Sequence, residues 1–411
     1  MFRTLFFFII ILPLGCFAQF TITGRVLNKA DKKPVPYASV FLSNSSVGNK
    51  TDNDGAFRLT NAKRGKYELT VSIIGFETYR QTISVSNSDV VLPDIGITPQ
   101  AIALNEVSIK PVTDPDRERN YEWFKEEFLG TSDLAGECKI INPEILNLDY
   151  NEKISVLTAS SVDFLEIEND ALGYKIRYLL TKFTLDNKDK YEQKLHYEGS
   201  ALFEEMKGTP SQERRWKNRR QEVYEGSEMH FLRSALNDRL DAEGFRVLQL
   251  AIYANPERPA DSLIEYKIKY YKELNSGSGK QRDSLSYWVR KSRLPNFFKK
   301  MMPSPLKKED IIKSTTQQGL FALGRDSDEL FITYNKDHHF YLSSKPTDLN
   351  DPYNKENTLL HFNEPYAFFD RNGGVTNPNS LTFSGVWGKN RVAELLPVDY
   401  EAPGTEQELT R

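Results

Sequence analysis

Between residues 20 and 109 the apolar positions recur every second residue, the period of strands that bury one face. Ile22, Gly24 and Val26 alternate with Thr21, Thr23 and Arg25. Ala38, Val40 and Leu42 share one face of the next run. Tyr67, Leu69, Val71 and Ile73 alternate again, as do Ile83 and Val85 with Thr82 and Ser84. Turn formers separate these runs: the polar stretch 28–33, Pro34 and Pro36, Asp52-Asn53-Asp54-Gly55, and Gly75-Phe76. About seven short strands at this spacing predict a Greek-key β-sandwich. Phe57 and Tyr67 are its expected core aromatics. Gly55 is expected at positive φ, where a side chain would clash.

After residue 110 the pattern is mixed. The segment 111–116 holds two prolines and reads as a linker. Asp116 then caps a predicted helix with Tyr121, Phe124 and Phe128 on one face and Gly130 at its end, and a short helix follows at 132–138. Tyr174, Ile176, Tyr178 and Leu180 alternate, as do Leu195, Tyr197, Ala201 and Phe203, with a hairpin turn at 186–189. A charged helix is predicted at 212–222 around Trp216. Ser227 caps another with the stripe Phe231, Leu232, Ala235, Leu236 and Leu240, and Gly244 stands at its C′ position. Strands are predicted at 245–253, 263–272 and 285–290, with a hairpin tip at 275–279. Further strands occupy 319–363, a turn lies at 370–374, and a last helix at 386–396. The chain thus reads as mainly β: a leader (1–18), the sandwich (20–110), the linker, an α+β body on a larger antiparallel sheet (117–401), and a polar, disordered tail (402–411).

The residues GRV at 24–26, PVPYASVFL at 34–42, TDNDGAFRL at 51–59 and YELTVSIIGFETYRQTISV at 67–85 carry a resemblance. Together they resemble the carboxypeptidase regulatory-like (transthyretin-like) domain. The version is the one that opens many envelope proteins of Bacteroidetes-type bacteria, including TonB-dependent receptors. The resemblance implies a sandwich that is a non-catalytic accessory. The body resembles the C-terminal region of exported proteins with the same opener, and that likeness implies no activity.

Composition narrows the picture. The 411 residues are 39% hydrophobic and 12% aromatic, enough for real cores in two or three domains of about 150 residues. Mean hydropathy is −0.54, which excludes a chain of many membrane helices. The strand runs are too interrupted by helices and charged loops for a membrane barrel. A net charge of −3 gives no global field for nucleic acid. At the N-terminus, Arg3, an apolar run from Leu5 to Leu12 and the exit Cys16-Phe17-Ala18 read as an export signal cleaved after Ala18, leaving Gln19 first. The competing reading lipidates Cys16: Gly15 suits it, and Pro13 stands where Leu or Val is usual. Either way the expected compartment is the periplasm or the periplasmic face of the outer membrane. Removing the leader leaves Cys138 alone, without an internal disulfide, and a buried structural role is expected for it.

Sequence signals for chemistry are sparse. If Gly55 is set at the sixth position of a calcium loop, Lys50 falls first and Asn61 twelfth, both wrong for a hard cation; a structural hairpin turn is expected there. The best zinc candidate is His361 with Glu364, an H-x-x-E, but no histidine follows it. His338 and His339, adjacent in a predicted strand, point to opposite faces. Neither G-x-S-x-G nor a Walker A motif occurs, Ser227 and Ser384 being near misses. Paired carboxylates for glycoside hydrolysis need no fixed spacing and stay open among 57 acids.

The most unusual stretch is 288–308, which carries Trp288, Arg290, Lys291, Arg293, Phe297, Phe298, Lys299, Lys300, Met301, Met302, Lys307 and Lys308 and no acid. Trp288 to Lys300 is the candidate interaction surface, either touching anionic lipid head groups or docking as a connector on the body. A second basic cluster, Arg214, Arg215, Lys217, Arg219 and Arg220, reads as an exposed helix face or a docking face for an acidic partner. The expectation is therefore a non-catalytic exported envelope protein without cofactor or metal, partnered by envelope proteins. The alternatives are a carbohydrate-binding protein, although residues 20–110 hold no Trp, and a hydrolase in the body built on His361, Glu364 and a further His.

Overall fold

The computed structural model describes residues 19–100, 115–188, 194–274, 279–324, 328–340, 349, 351 and 354–403. The leader with Cys16 and Ala18, residues 111–114 of the linker, the loop 275–278 and the tail beyond 403 lie outside them.

The N-terminal unit has eight strands in two sheets: β1 (Phe20–Asn28), β2 (Ser39–Leu42), β3 (Gly48–Lys50), β4 (Ala56–Ala62), β5 (Gly65–Ser72), β6 (Tyr79–Val85), β7 (Val90–Val91) and β8 (Ile95–Ile97). One sheet runs β4-β1-β7, with β8 also paired to β1; the other runs β3-β2-β5-β6. The alternation seen in the sequence closes a core of Ile22, Val26, Val40, Leu42, Leu69 and Val71, with Phe57 and Tyr67 buried in it. The acidic turn is not a hairpin. It carries the chain from β3 in one sheet to β4 in the other. Asp52 there accepts the backbone N–H groups of Asp54 and Ala56. Gly55 takes φ 71°, a conformation glycine adopts without cost, and a Cβ there would also strike the Val26 carbonyl.

Helices α1 (Pro115–Leu129) and α2 (Asp133–Gly136) open the body, so the predicted linker gives up its last two residues to α1. The second sheet system contains β9 (Cys138–Ile140), β10 (Leu146–Asn151), β11 (Val156–Ser161), β12 (Leu165–Asn169), β13 (Tyr174–Asp186) and β14 (Lys194–Glu205). Its order is β10-β11-β13-β12-β9, with β14 along β13. Phe124 and Phe128 on one side of α1 meet Phe183 and Tyr178, with ring centroids at 4.9 and 5.1 Å. Helix α3 (Pro210–Tyr224) is capped by Thr209 and Gln212 acting reciprocally. Helix α4 (Glu228–Leu236) is capped by Ser227.

The rest of the body has β15 (Phe245–Ala254), α5 (Asp261–Glu273), α6 (Gly279–Ser292), β16 (Phe297–Met301), α7 (Lys308–Ile311), β17 (Ile312–Ser314), β18 (Leu320–Leu323), β19 (Glu329–Tyr334), β20 (Asn357–Phe362), β21 (Ala367–Asp370), β22 (Leu381–Gly385) and α8 (Val386–Lys389). A five-stranded antiparallel sheet runs β16-β15-β19-β20-β22, and a small one β17-β18-β21.

Several expectations are corrected. The strands predicted at 263–272 and 285–290 are the helices α5 and α6. Their Tyr and Ile residues favour strands only where a pleated neighbour receives them. Here, at helical spacing, Ile264 is buried and Ile268 and Tyr271 are half-buried. Helix α4 stops at Leu236, and Gly244 (φ 81°) sits against the Asn335 carbonyl at the entry to β15. The helix predicted at 386–396 is α8 plus a 3-10 turn at Val392–Glu394, interrupted where Asn390 turns extended. His338 lies in a turn after β19 with φ 58°. Ala402 is buried, so the start of the predicted tail belongs to the core.

The sandwich does not sit apart from the body. Phe41, on the face of β2 away from the sandwich core, packs with Phe164, Leu179 and Leu202. Asn44 N–H donates to the Ala201 carbonyl at 2.7 Å, and Phe203 N–H to the Ser45 carbonyl at 2.9 Å. At the other end of β5, Asn372 Nδ2 donates to Tyr67 Oη at 3.0 Å and to the Arg64 carbonyl at 3.1 Å. Residues 397–401 close the junction: Asp399 accepts the N–H and hydroxyl of Ser46, and Lys63 pairs with Glu401 at 2.6 Å.

Candidate functional site

Helices α5 and α6 form a hairpin inserted between β15 and the edge strand β16. Its base is built by Arg258. One guanidinium nitrogen donates to the carbonyls of Lys291, Ser292 and Leu294 at the end of α6, and another pairs with Asp261 at 2.5 Å at the start of α5. A cation at the α6 C-terminus and an anion at the α5 N-terminus are both favoured by the helix dipoles. Asn255 adds two bonds, to the Asn296 and Pro295 carbonyls.

Beyond that base the hairpin is open to solvent. Among the described residues from Asp261 to Met301, Ile264 is the one buried side chain. Leu263, Tyr266, Tyr270 and Leu274 recur at helical spacing, and all are exposed, Tyr266 by 60%. Tyr287 on α6, Phe297 (58%), Phe298 and Met301 on β16, and Tyr253 opposite Phe298 are exposed too. Lysines stand over the rings: Lys267 is 5.7 Å from Tyr266, and Lys291 is 5.7 Å from Tyr287. Residues 261–301 carry ten Lys and Arg against four Asp and Glu.

The sequence-predicted surface is thus split. Arg290, Arg293, Phe297, Phe298 and Lys300 are exposed. Trp288 is half-buried in the hairpin, and Lys291 donates to the Glu257 carbonyl at 2.7 Å. Lys299 binds both oxygens of the buried Glu329 at 2.8 Å. The aromatic stripe of α5 was missed because that run reads as a strand. Its signal is the Tyr266–Tyr270 spacing of four, which stacks the two rings at 6.2 Å.

The other candidates fall elsewhere. His361 Nδ1 lies 3.0 Å from Glu329, while Glu364 accepts from Asn377. Ser384 lies in β22. Among the described residues no three His, Cys, Asp or Glu side chains gather as a metal site. Cys138 is buried, and burial, with the nearby charges of Glu394, Asp170 and Glu137, pushes its thiol up to about 12. The thiolate that a nucleophile needs is therefore suppressed. The second basic cluster is divided: Arg214, Arg215 and Lys217 stand on an exposed helix face, while Arg219 binds Glu137 at 2.6 Å and buried Arg220 binds Glu205 and the carbonyls of Leu172 and Gly173. A cleft of about 240 Å³ at the sandwich–body junction is lined by Ser46, Tyr174, Glu205, Arg220, Asp399 and Tyr400 among others. Arg220 stacks over Tyr174 at 3.9 Å there, and no histidine or cysteine lines it.

The two-sheet N-terminal unit agrees with the comparison by family. Residues 22–109 match the CarboxypepD_reg-like domain. That stretch is a CarboxypepD_reg-like domain. The region that follows the CarboxypepD_reg-like domain is unassigned. No curated protein matches the chain. Among solved structures, similarity is found to an interface mutant of a type II cohesin–X–dockerin complex from Acetivibrio cellulolyticus (18% identity, TM-score 0.18, covering 19% of this chain and 56% of that one). It is found also to a group B streptococcus pilus 2b backbone protein (16% identity, TM-score 0.18, covering 20% and 42%). A third is a protein from Bacteroides uniformis described as carbohydrate-binding (12% identity, TM-score 0.17, covering 45% and 78%). The chain spans about half the length of the first structures it matches, 56%, 58% and 42%.

Proposed function

We propose that the protein is a non-catalytic, exported accessory of the cell envelope, working at the periplasmic face of the outer membrane. In this reading the CarboxypepD_reg-like domain, a type typical of envelope proteins, is a fixed platform. Its contacts with β13, β14 and residues 397–401 hold the body in one orientation. The body then presents the α5–α6 hairpin and the edge strand β16 as its interaction surface. The observation that carries the reading is the exposure of that surface. Aromatic side chains and a local excess of positive charge stand outside the cores of their own chain, and exposed apolar patches of this kind mark interaction sites.

The test is crosslinking in cells followed by envelope fractionation. The expected result is recovery with the outer membrane and with a defined envelope partner. Recovery as a free secreted monomer without a partner would sink the proposal.

A further inference from the structure

We propose that the α5–α6 hairpin and the β16 edge strand dock on an anionic phospholipid surface. The proposal deepens the reading of the hairpin as an interaction surface and rests on it.

The first argument is charge. Residues 261–301 hold six more Lys and Arg than Asp and Glu, in a chain whose net charge is −3. The excess is therefore local, and the rest of the chain is acidic. Lys272, Arg290, Arg293 and Lys300 all have exposed side chains. Such a region is attracted to anionic head groups, while the acidic remainder is repelled from them.

The second argument is the kind of apolar group exposed. Tyr266, Tyr270 and Tyr287 combine an apolar ring with a polar tip, the side-chain type that settles at the head-group level of a bilayer. Phe297, Phe298, Leu263 and Leu274 add purely apolar surface. The stripe Leu263, Tyr266, Tyr270 and Leu274 follows one face of α5, as on helices that lie in an interface. The packed side of α5 carries buried Ile264, with Ile268 and Tyr271 half-buried, so the exposed stripe is not needed for packing within the hairpin.

The third argument concerns the other occupants. Symmetric pairing with a second copy through this face would bring two positive surfaces together. Addition of a partner strand at β16 is opposed by the exposed Lys300 on that strand, the residue type that guards edge strands.

The experiment is flotation of the chain from Gln19 onward with lipid vesicles. This chain contains every described residue and omits the apolar run Leu5 to Leu12, which would bind lipid by itself. Vesicles of phosphatidylcholine alone are compared with vesicles that also contain phosphatidylglycerol. Binding is expected to the mixed vesicles only and to be lost in about 0.5 M salt, where screening is strong. The variant Lys272→Glu, Arg290→Glu, Arg293→Glu, Lys300→Glu is expected to lower partitioning at least about ten-fold. Phe297→Ser with Phe298→Ser is expected to lower it several-fold while circular dichroism and melting stay unchanged. Equal binding to both vesicle types, no binding, or binding unchanged by charge reversal would overturn the proposal. Should the charge-reversed chain not fold, the salt series on the parent decides the same question. Absence of vesicle binding by a protein that still crosslinks to an outer-membrane partner removes the lipid assignment alone. Free secretion in cells removes the envelope reading, whatever the vesicles show.

Discussion

Asp370 Oδ2 accepts the backbone N–H of Lys66 at 3.0 Å, across 304 positions of the chain. The same carboxylate accepts the N–H groups of Asn372 and Gly374 through its other oxygen, at 2.9 and 3.1 Å. One acidic side chain thus shapes the turn after β21 and anchors it to the start of β5. Burial pushes the Asp370 carboxyl above its ordinary range, against the pull of those N–H donors and Arg233.

Asn372→Ala removes the bonds to Tyr67 Oη and the Arg64 carbonyl and leaves a buried hydroxyl short of a partner. A loss of about 1–3 kcal/mol is expected, read as a lower urea midpoint with an unchanged slope. No change in midpoint would show that the turn does not hold the sandwich.

Phe41→Ala empties the contact with Phe164, Leu179 and Leu202. Deleting a buried aromatic costs about 3–5 kcal/mol. Ile74→Ala, at an exposed position of the same domain, is expected to cost well under 1 kcal/mol. Thermal melting of the two variants side by side checks the difference. Equal melting would show that β2 does not pack on the body.

His230 and Glu228 set opposite pH dependences at α4. Burial holds the His230 imidazole below 6.5, against the nearby carboxylate of Glu243, and its Nδ1 accepts the Gly226 N–H at 3.1 Å. The folded chain therefore binds this proton less readily than the unfolded chain. The stability it contributes is complete above about pH 6.5 and falls as pH drops below. His230→Gln is expected to flatten that acid limb in a series of melting temperatures.

Glu228 behaves in reverse. Burial raises its carboxyl from 4.5 to about 7, so its stability contribution is full below pH 4.5 and is lost as pH rises toward 7. Glu228→Gln removes that charge and is expected to stabilise the protein at pH 8 by about 1–2 kcal/mol. An unchanged melting temperature at pH 8 would count against the buried carboxyl.

Arg258→Ala unties α5 from α6. The expected outcome is faster hydrogen exchange across both helices while β13 and β14 keep their protection, because the hairpin lends one buried side chain to the interior. Uniform loss of protection would show that the hairpin is part of the core.

The sequence by itself determined the CarboxypepD_reg-like domain, because strands that bury one face must alternate and tight turns must use Gly and Asp. It also determined the helix starts at Ser132 and Ser227, since a cap is a contact between residues two or three apart, whereas the charged helix read from Gln212 begins at Pro210, behind the Thr209 cap. The helical nature of residues 261–292 was decided by tertiary structure: the same Tyr and Ile residues suit either element until a neighbouring helix or strand receives them. Part of the second basic cluster was settled in the same way, when Arg219 and Arg220 found Glu137, Glu205 and the carbonyls of 172 and 173. So were the partners His361–Glu329 and Asp370–Lys66, which join strands or units far apart in the chain. Exposure is likewise a property of the packed molecule, and it separates the exposed Tyr266 and Phe297 from the half-buried Trp288.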